Sequence, residues 1–183
     1  FVLFYTWQLK DIGLGEVAVL LVWGPLMIGG GYYVITGTWN WNVVIASLPY
    51  ALGPTTVIFG KHIDKYVEDK AKGIHTLPVI LGERVSRAIV SVLMVAQYLL
   101  IVYLVVIGFF TPIVLVVVFS WPVLRLALDI FRRPKPAEPP SFYPKDAWPL
   151  WFVSFAFIHN RRYGLLLLAG MIGDLILRAL LVR

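Results

Sequence analysis

Cysteine is absent from the 183 residues, which excludes disulfides and thiolate metal sites and leaves hard, oxygen-ligated cations as the metal chemistry to consider. Charge is scarce as well. Charged residues make up 14% of the chain against 60% hydrophobic, with a mean hydropathy of +0.82, a balance unlike that of soluble domains. No charged residue lies between Glu16 and Lys61, and none between Arg87 and Arg125. Each gap has room for two bilayer crossings of about 20 residues. The opening, Phe1-Val2-Leu3-Phe4-Tyr5, lacks both an initiator Met and the basic start of a signal peptide. It is expected to be the tail of a helix that starts upstream, in a longer protein of which this is the C-terminal part, and the fragment alone is expected to be inactive. The fold class that follows is all-α, a multi-pass transmembrane helical bundle in a lipid bilayer. The formal net charge of +6 would suit nucleic acid, but the basic residues stand in short loops between apolar segments, where they read as orientation signals. No nucleic-acid role is expected.

Along the chain, the pattern predicts about five spans and one short helix. Val17 to Ile35 forms the first span despite Pro25 and Gly29-Gly30-Gly31, since membrane helices tolerate both where neighbours pack closely. Thr36 to Asn42 turns, with Trp39 and Trp41 at headgroup level. Val43 to Phe59, Ala88 to Ile107 and Ile113 to Ile130 give the next three spans. Arg125 and Asp129 share one face, where a partial ion pair or snorkelling toward the interface accounts for them. Phe131 to Asp146 carries five prolines and reads as a surface loop. Ala147 to Ile158 is apolar but short, and is read as a re-entrant or interfacial helix; His159 follows it as a headgroup anchor beside Arg161 and Arg162. Tyr163 to Val182 closes the bundle and holds Asp174, an intramembrane acid that is either a packing partner or functional. Six Lys and Arg fall between Lys61 and Arg87 and none in the turns at 36–42 and 108–112, which puts the 61–87 side in the cytoplasm.

One dense polar cluster runs from Lys61 to Thr76 and mixes carboxylates with lysines. Mg²⁺ on a phosphorylated substrate needs one or two carboxylates together with phosphate oxygens and water, and nearby ammonium groups offset the remaining charge. On one continuous helix Asp64 and Glu68 lie within about 40° of each other and Asp64 and Asp69 about 140° apart. That makes Asp64 with Glu68 the same-face pair, with Asp69 able to join if the helix ends there and Gly73 as terminator. The plainer reading of the cluster is a solvated, positive-inside anchor. His62 and His75 read as surface residues of that loop.

The stretch Asp69-Lys70-Ala71-Lys72-Gly73-Ile74-His75-Thr76-Leu77-Pro78-Val79-Ile80-Leu81-Gly82 resembles the segment that follows the second aspartate-rich motif of UbiA-type prenyltransferases. Upstream, Gly13-Leu14-Gly15-Glu16, Gly24-Pro25-Leu26 and Gly31 to Gly37 resemble the MenA-like branch, which prenylates 1,4-dihydroxy-2-naphthoate. The resemblance implies a membrane enzyme of menaquinone biosynthesis, in a prokaryotic plasma membrane, that uses Mg²⁺ to ionise a polyprenyl diphosphate and transfers the allylic cation to an aromatic acceptor. It implies Asp69 as a metal ligand and catalytic residue, joined by Asp64 if a distorted helix lets the two converge or by Glu68 in its place, unless this motif binds metal weakly. Lys10, Lys61, Lys65, Lys70 and Lys72 are candidates to hold the diphosphate, and Tyr32 and Tyr33, with Tyr50 and Phe59, to steady the cation through their ring faces. Two departures stand out. Lys65 occupies the position where the family carries the earlier acid of the second motif, and the first motif's Asn-rich helix has no counterpart, since Asn occurs only at 40, 42 and 160. A relative acting on a tetrapyrrole, 4-hydroxybenzoate or a glycerol lipid, and a noncatalytic membrane subunit or transporter segment, are the competing readings.

Overall fold

A computed structural model describes residues 13–181. Five helices are long and apolar enough to cross a membrane. They are α1 (Gly15–Thr36), α2 (Trp41–Asp64), α5 (Glu83–Val106), α6 (Pro112–Arg132) and α7 (Trp151–Leu181). Two short helices, α3 (Tyr66–Ala71) and α4 (Leu77–Leu81), fill the polar connection between α2 and α5. Among the described residues there is no strand, as the bilayer favours helices that satisfy their own backbone groups.

Local sequence shapes each span. In α1, Pro25 removes a backbone donor, and Val22–Gly29 widens into π-type turns before regular helix resumes at Gly30. Gly37 ends it at φ +69°, a conformation that glycine adopts without steric cost. Asn40 caps α2 by accepting from the Asn42 N–H at 2.9 Å. Pro49 and Pro54 lie inside α2, and Gln97 of α5 donates to the Pro49 carbonyl at 3.0 Å, the kind of neighbouring donor that lets a membrane helix keep its prolines. α6 starts as tight 3₁₀ turns over Pro112–Ser120 and becomes regular from Trp121.

α2 is the central helix, packed against α1, α5 and α7. Small residues make the closest approaches: a Cβ on Gly24 would lie 2.9 Å from Ala51, one on Gly29 2.9 Å from Val44, and one on Gly60 3.1 Å from the Phe152 backbone. One apolar core joins Phe59, Val90, Met94, Leu124, Phe131 and Phe152 near the basic end. A second joins Ile101, Leu104, Val114, Val117, Tyr163 and Leu167 toward the other end.

Three expectations change. The 147–158 stretch is no separate helix, because one 31-residue helix runs from Trp151 through the polar run to Leu181. His159 explains the continuity: it is fully buried, not at the headgroups, with Nε2 3.1 Å from the Tyr98 hydroxyl and its ring stacked on Tyr163. Asp129 pairs with Arg132 at 3.5 Å rather than with Arg125. Asp174, left open between packing and function, is a packing partner. Its Oδ1 accepts from the Thr111 N–H at 2.6 Å and its Oδ2 from Arg178 at 3.0 Å, and Arg178 also donates to the Phe109 carbonyl. This carboxylate ties the turn at 107–111 to the last turns of α7.

Candidate functional site

The basic end of the bundle gathers the start of α1, the end of α2, α3, α4, the start of α5 and the start of α7. The 61–76 cluster is not an open loop there. α2 stops at Asp64, Lys65 breaks the helical path at φ −97°, ψ 7°, and α3 restarts at Tyr66. Angles counted along one continuous helix therefore do not carry across Lys65. α3 closes on Gly73 at φ +67°, with the Ile74 N–H reaching back to the Asp69 carbonyl at 2.9 Å, a glycine-terminated end of the kind expected.

The three expected carboxylates have separate surroundings. Asp64 turns toward α7, 88 residues away in sequence: Oδ1 accepts from the Phe152 N–H at 3.0 Å and Oδ2 from the Val153 N–H at 2.9 Å. It caps the first turn of α7 from another helix, where the first N–H groups have no partner within the helix and the dipole favours an anion. Lys135 sits 3.5 Å from Asp64 Oδ1, donates to the Pro149 carbonyl and lies over the Trp148 ring. Glu68 points outward and makes only a loose contact with Lys65 at 3.9 Å. Asp69 is 3% exposed, and its Oδ2 has no hydrogen-bond partner among the described residues. Buried polar atoms are nearly always paired, which sets this oxygen apart from the two of Asp64.

Two further polar groups lie on the same end. Glu16, from the second residue of α1, is 2% exposed and meets His62 of α2 at 2.7 Å, while its other oxygen is unpartnered among the described residues. Thr76, just before α4, is 1% exposed with its hydroxyl likewise unpartnered. Gly13 packs against the His75 carbonyl and Leu77, which brings the start of α1 against the 75–77 segment. The Glu16–His62 pair escaped sequence reasoning because its members stand 46 residues apart and an acid in a first helical turn is ordinary. The signal was there: Glu16 begins the long charge-free run.

The remaining expected residues scatter. Lys61 and Lys72 are exposed at the basic end, Lys65 is half-buried, and Lys70 stands over the Tyr66 ring at 5.8 Å. His75 is exposed. Lys10 lies outside the described residues. Tyr32 and Tyr33 are not at this end: they sit in the last turns of α1, with Tyr33 against Trp39, about 25 Å along the helix from Gly15. Phe59 is packed in the core. Beside Asp64 opens a cavity of ≈ 400 Å³ lined by Tyr66, Glu68, Glu83, Lys135 and Phe152.

Among the described residues no three His, Asp or Glu side chains come together closely enough to cage a metal ion. That still fits Mg²⁺ delivered on a diphosphate, which keeps several waters and takes only one or two protein carboxylates. Asp69 and Glu16 are the buried carboxylates of this end that each keep an unpartnered oxygen among the described residues.

The profile of the UbiA prenyltransferase family matches residues 1–161. A 2-carboxy-1,4-naphthoquinone phytyltransferase from Synechocystis sp. is 29% identical over 101 residues, which is 52% of this chain and 33% of the relative. The UbiA prenyltransferase domain-containing protein 1 of Danio rerio is 30% identical over 92 residues, 50% of this chain and 27% of the relative. Its Drosophila melanogaster homolog is 26% identical over 89 residues, 49% of this chain and 25% of the relative. The match thus covers about a third or less of each of these relatives. No solved structure matches the chain.

Proposed function

The chain belongs to the UbiA prenyltransferase family, and from that premise we propose that it carries part of a Mg²⁺-dependent transferase. The reaction moves a polyprenyl group from its diphosphate to an aromatic acceptor, 1,4-dihydroxy-2-naphthoate, in menaquinone biosynthesis. The observation that carries this reading is Asp69: a buried carboxylate with an open oxygen, within the segment that resembles the family's second aspartate-rich motif. The acceptor is favoured by the relative described as a 2-carboxy-1,4-naphthoquinone phytyltransferase. With five apolar helices, the protein is an integral membrane protein; by the excess of Lys and Arg, the Asp69 end faces the cytoplasm of a prokaryotic cell.

In the reaction, the allylic C–O bond breaks and its electron pair leaves with the diphosphate. A ring carbon of the acceptor then attacks the allylic carbon and forms the new C–C bond, and the same carbon releases its proton, or carbon dioxide where it carries the carboxylate, as the ring regains its aromaticity. Mg²⁺, when bound, neutralises charge on the leaving group. Asp69 would hold the ion, and Lys61, Lys70 and Lys72 would supply ammonium groups on the same end for the phosphate oxygens, an effect that grows as water is excluded. Asp64 serves by position: clamped to the Phe152 and Val153 amides, it locks α7 to the end of α2, and after the break at Lys65 the short α3 carries Asp69. The alternative of a transporter path loses its footing at Asp174, whose two oxygens are both engaged within the protein.

The test is the protein as its gene encodes it, expressed in membranes and supplied with Mg²⁺, radiolabelled polyprenyl diphosphate and one acceptor at a time. Prenylated dihydroxynaphthoate supports the proposal. Product only with 4-hydroxybenzoate, a tetrapyrrole or a glycerol lipid changes the acceptor, and no product with any of them removes the transferase reading.

A further inference from the structure

Between α5 and α6 runs a groove that the proposed reaction does not use, a cavity of ≈ 560 Å³ with a charged head and an apolar body. Arg84 and Arg87, from the first two turns of α5, and Arg132, the last residue of α6, form the head. Val92, Val95 and Leu99 of α5 and Leu128 of α6 line the body. From Arg87 to Leu99 the helix advances about 18 Å, close to the depth of one leaflet's hydrocarbon, about 15 Å. Val92 and Leu99 are 65% and 63% exposed on a helix apolar enough to span a membrane. Lipid is therefore the medium onto which the groove opens.

An excess of Lys and Arg orients membrane helices with exposed side chains alone, but Arg87 is 8% exposed. Its guanidinium donates to the Phe131 carbonyl at 3.2 Å, while its Nε, 3.2 Å from Glu83 Oε1, is out of line for a hydrogen bond and has no other partner among the described residues. A buried charge so incompletely met acts strongly on an anion nearby. Arg84 and Arg132, both exposed, line the same head. Against these three guanidiniums stand two carboxylates, Glu83 and Asp129, the second 3.5 Å from Arg132. The first turn of α5 adds the positive end of its dipole. We propose that the groove holds an anionic phospholipid of the leaflet on the 61–87 side, with its phosphate on Arg84 and Arg132 in the field of Arg87, and an acyl chain along Val92, Val95 and Leu99. The planar fork of arginine suits phosphate oxygens, and basic pockets between membrane helices take anionic headgroups. A soluble phosphate would gain nothing from the apolar body. The inference does not depend on the transferase reading.

The experiment places the full-length gene product in nanodiscs of equal phosphatidylglycerol and phosphatidylcholine and counts the lipids it retains by native mass spectrometry. Phosphatidylglycerol should be retained about tenfold or more over phosphatidylcholine by the unaltered protein, an arm that does not depend on how any variant folds. The double variant Arg84→Gln/Arg132→Gln should lose that preference about tenfold or more, as for loss of hydrogen bonds to a charged group. Arg87 is left in place because it also holds the Phe131 carbonyl. Lys72→Gln/Lys145→Gln removes the same charge from exposed residues off the groove and should leave retention intact. Ala96→Phe, which fills the apolar body without touching charge, should weaken retention. Equal retention of the two lipids by the unaltered protein, or an unaffected Arg84→Gln/Arg132→Gln, overturns the proposal. Displacement of the bound lipid by glycerol 3-phosphate overturns the lipid as the ligand.

Discussion

The two ends of the bundle use their buried carboxylates differently. At the far end Asp174 gives one oxygen to the Thr111 N–H and the other to Arg178; at the basic end Asp69 is as deeply buried yet keeps an unpartnered oxygen among the described residues. A carboxylate paired at both oxygens holds elements together. One left open lowers stability until a ligand or water completes it. Asp64 shows that location alone does not decide: five residues before Asp69, it is committed on both oxygens to α7 and so belongs with Asp174.

Four substitutions would break or sharpen this contrast. The largest effect is expected on turnover: Asp69→Ala in the full-length protein should lower prenyl transfer about 10³-fold, roughly 4 kcal/mol of barrier, while membrane insertion is unchanged. A radiolabelled transfer assay with a parallel membrane-extraction control reads both. Next, Asp64→Ala should destabilise the fold by about 2–3 kcal/mol, since it strips the acceptors from two helix-start N–H groups. Hydrogen exchange should show the loss locally, as faster exchange at Phe152 and Val153. Asp174→Ala should cost about 1–2 kcal/mol, seen as a lowered thermal midpoint in detergent, with transfer activity scaled only by the folded fraction. Glu68→Gln should change stability by less than about 0.5 kcal/mol, because its contact with Lys65 is long and exposed. A large loss of stability there would mean that Glu68 has a partner the contrast omits.

The spans were legible because hydropathy reports directly on the solvent: charge-free runs announced α1 with α2 and α5 with α6, and the 31-residue α7 was missed as one helix only because His159 to Arg162 read as its end. What hid the continuity was burial. His159 meets Tyr98, 61 residues away, through Nε2, and no local pattern reports a partner at that distance. The same limit hid the role of Asp64. Counting 100° per residue assumed an unbroken helix, and the break at Lys65 with the reach to Phe152 follows from tertiary packing. Gly73 was readable as a terminator because αL caps are local chemistry. Asp69 was readable as a candidate only through resemblance, since its sequence neighbours look like any charged loop; its burial and open oxygen set it apart from Glu68. Tyr32 and Tyr33 drew attention by residue type, and the fold puts them in the last turns of α1, away from Asp69.

The most direct test compares Asp69→Asn with Asp174→Asn in the same membrane preparations, reading prenyl transfer and thermal unfolding on each. Asn keeps the size and removes the charge. The account predicts a crossed result: Asp69→Asn loses transfer while its unfolding temperature stays level or rises, and Asp174→Asn unfolds earlier while the folded fraction keeps its transfer rate. Full turnover in Asp69→Asn, or a fall in its stability matching that of Asp174→Asn, would contradict the assignment of Asp69 to the reaction.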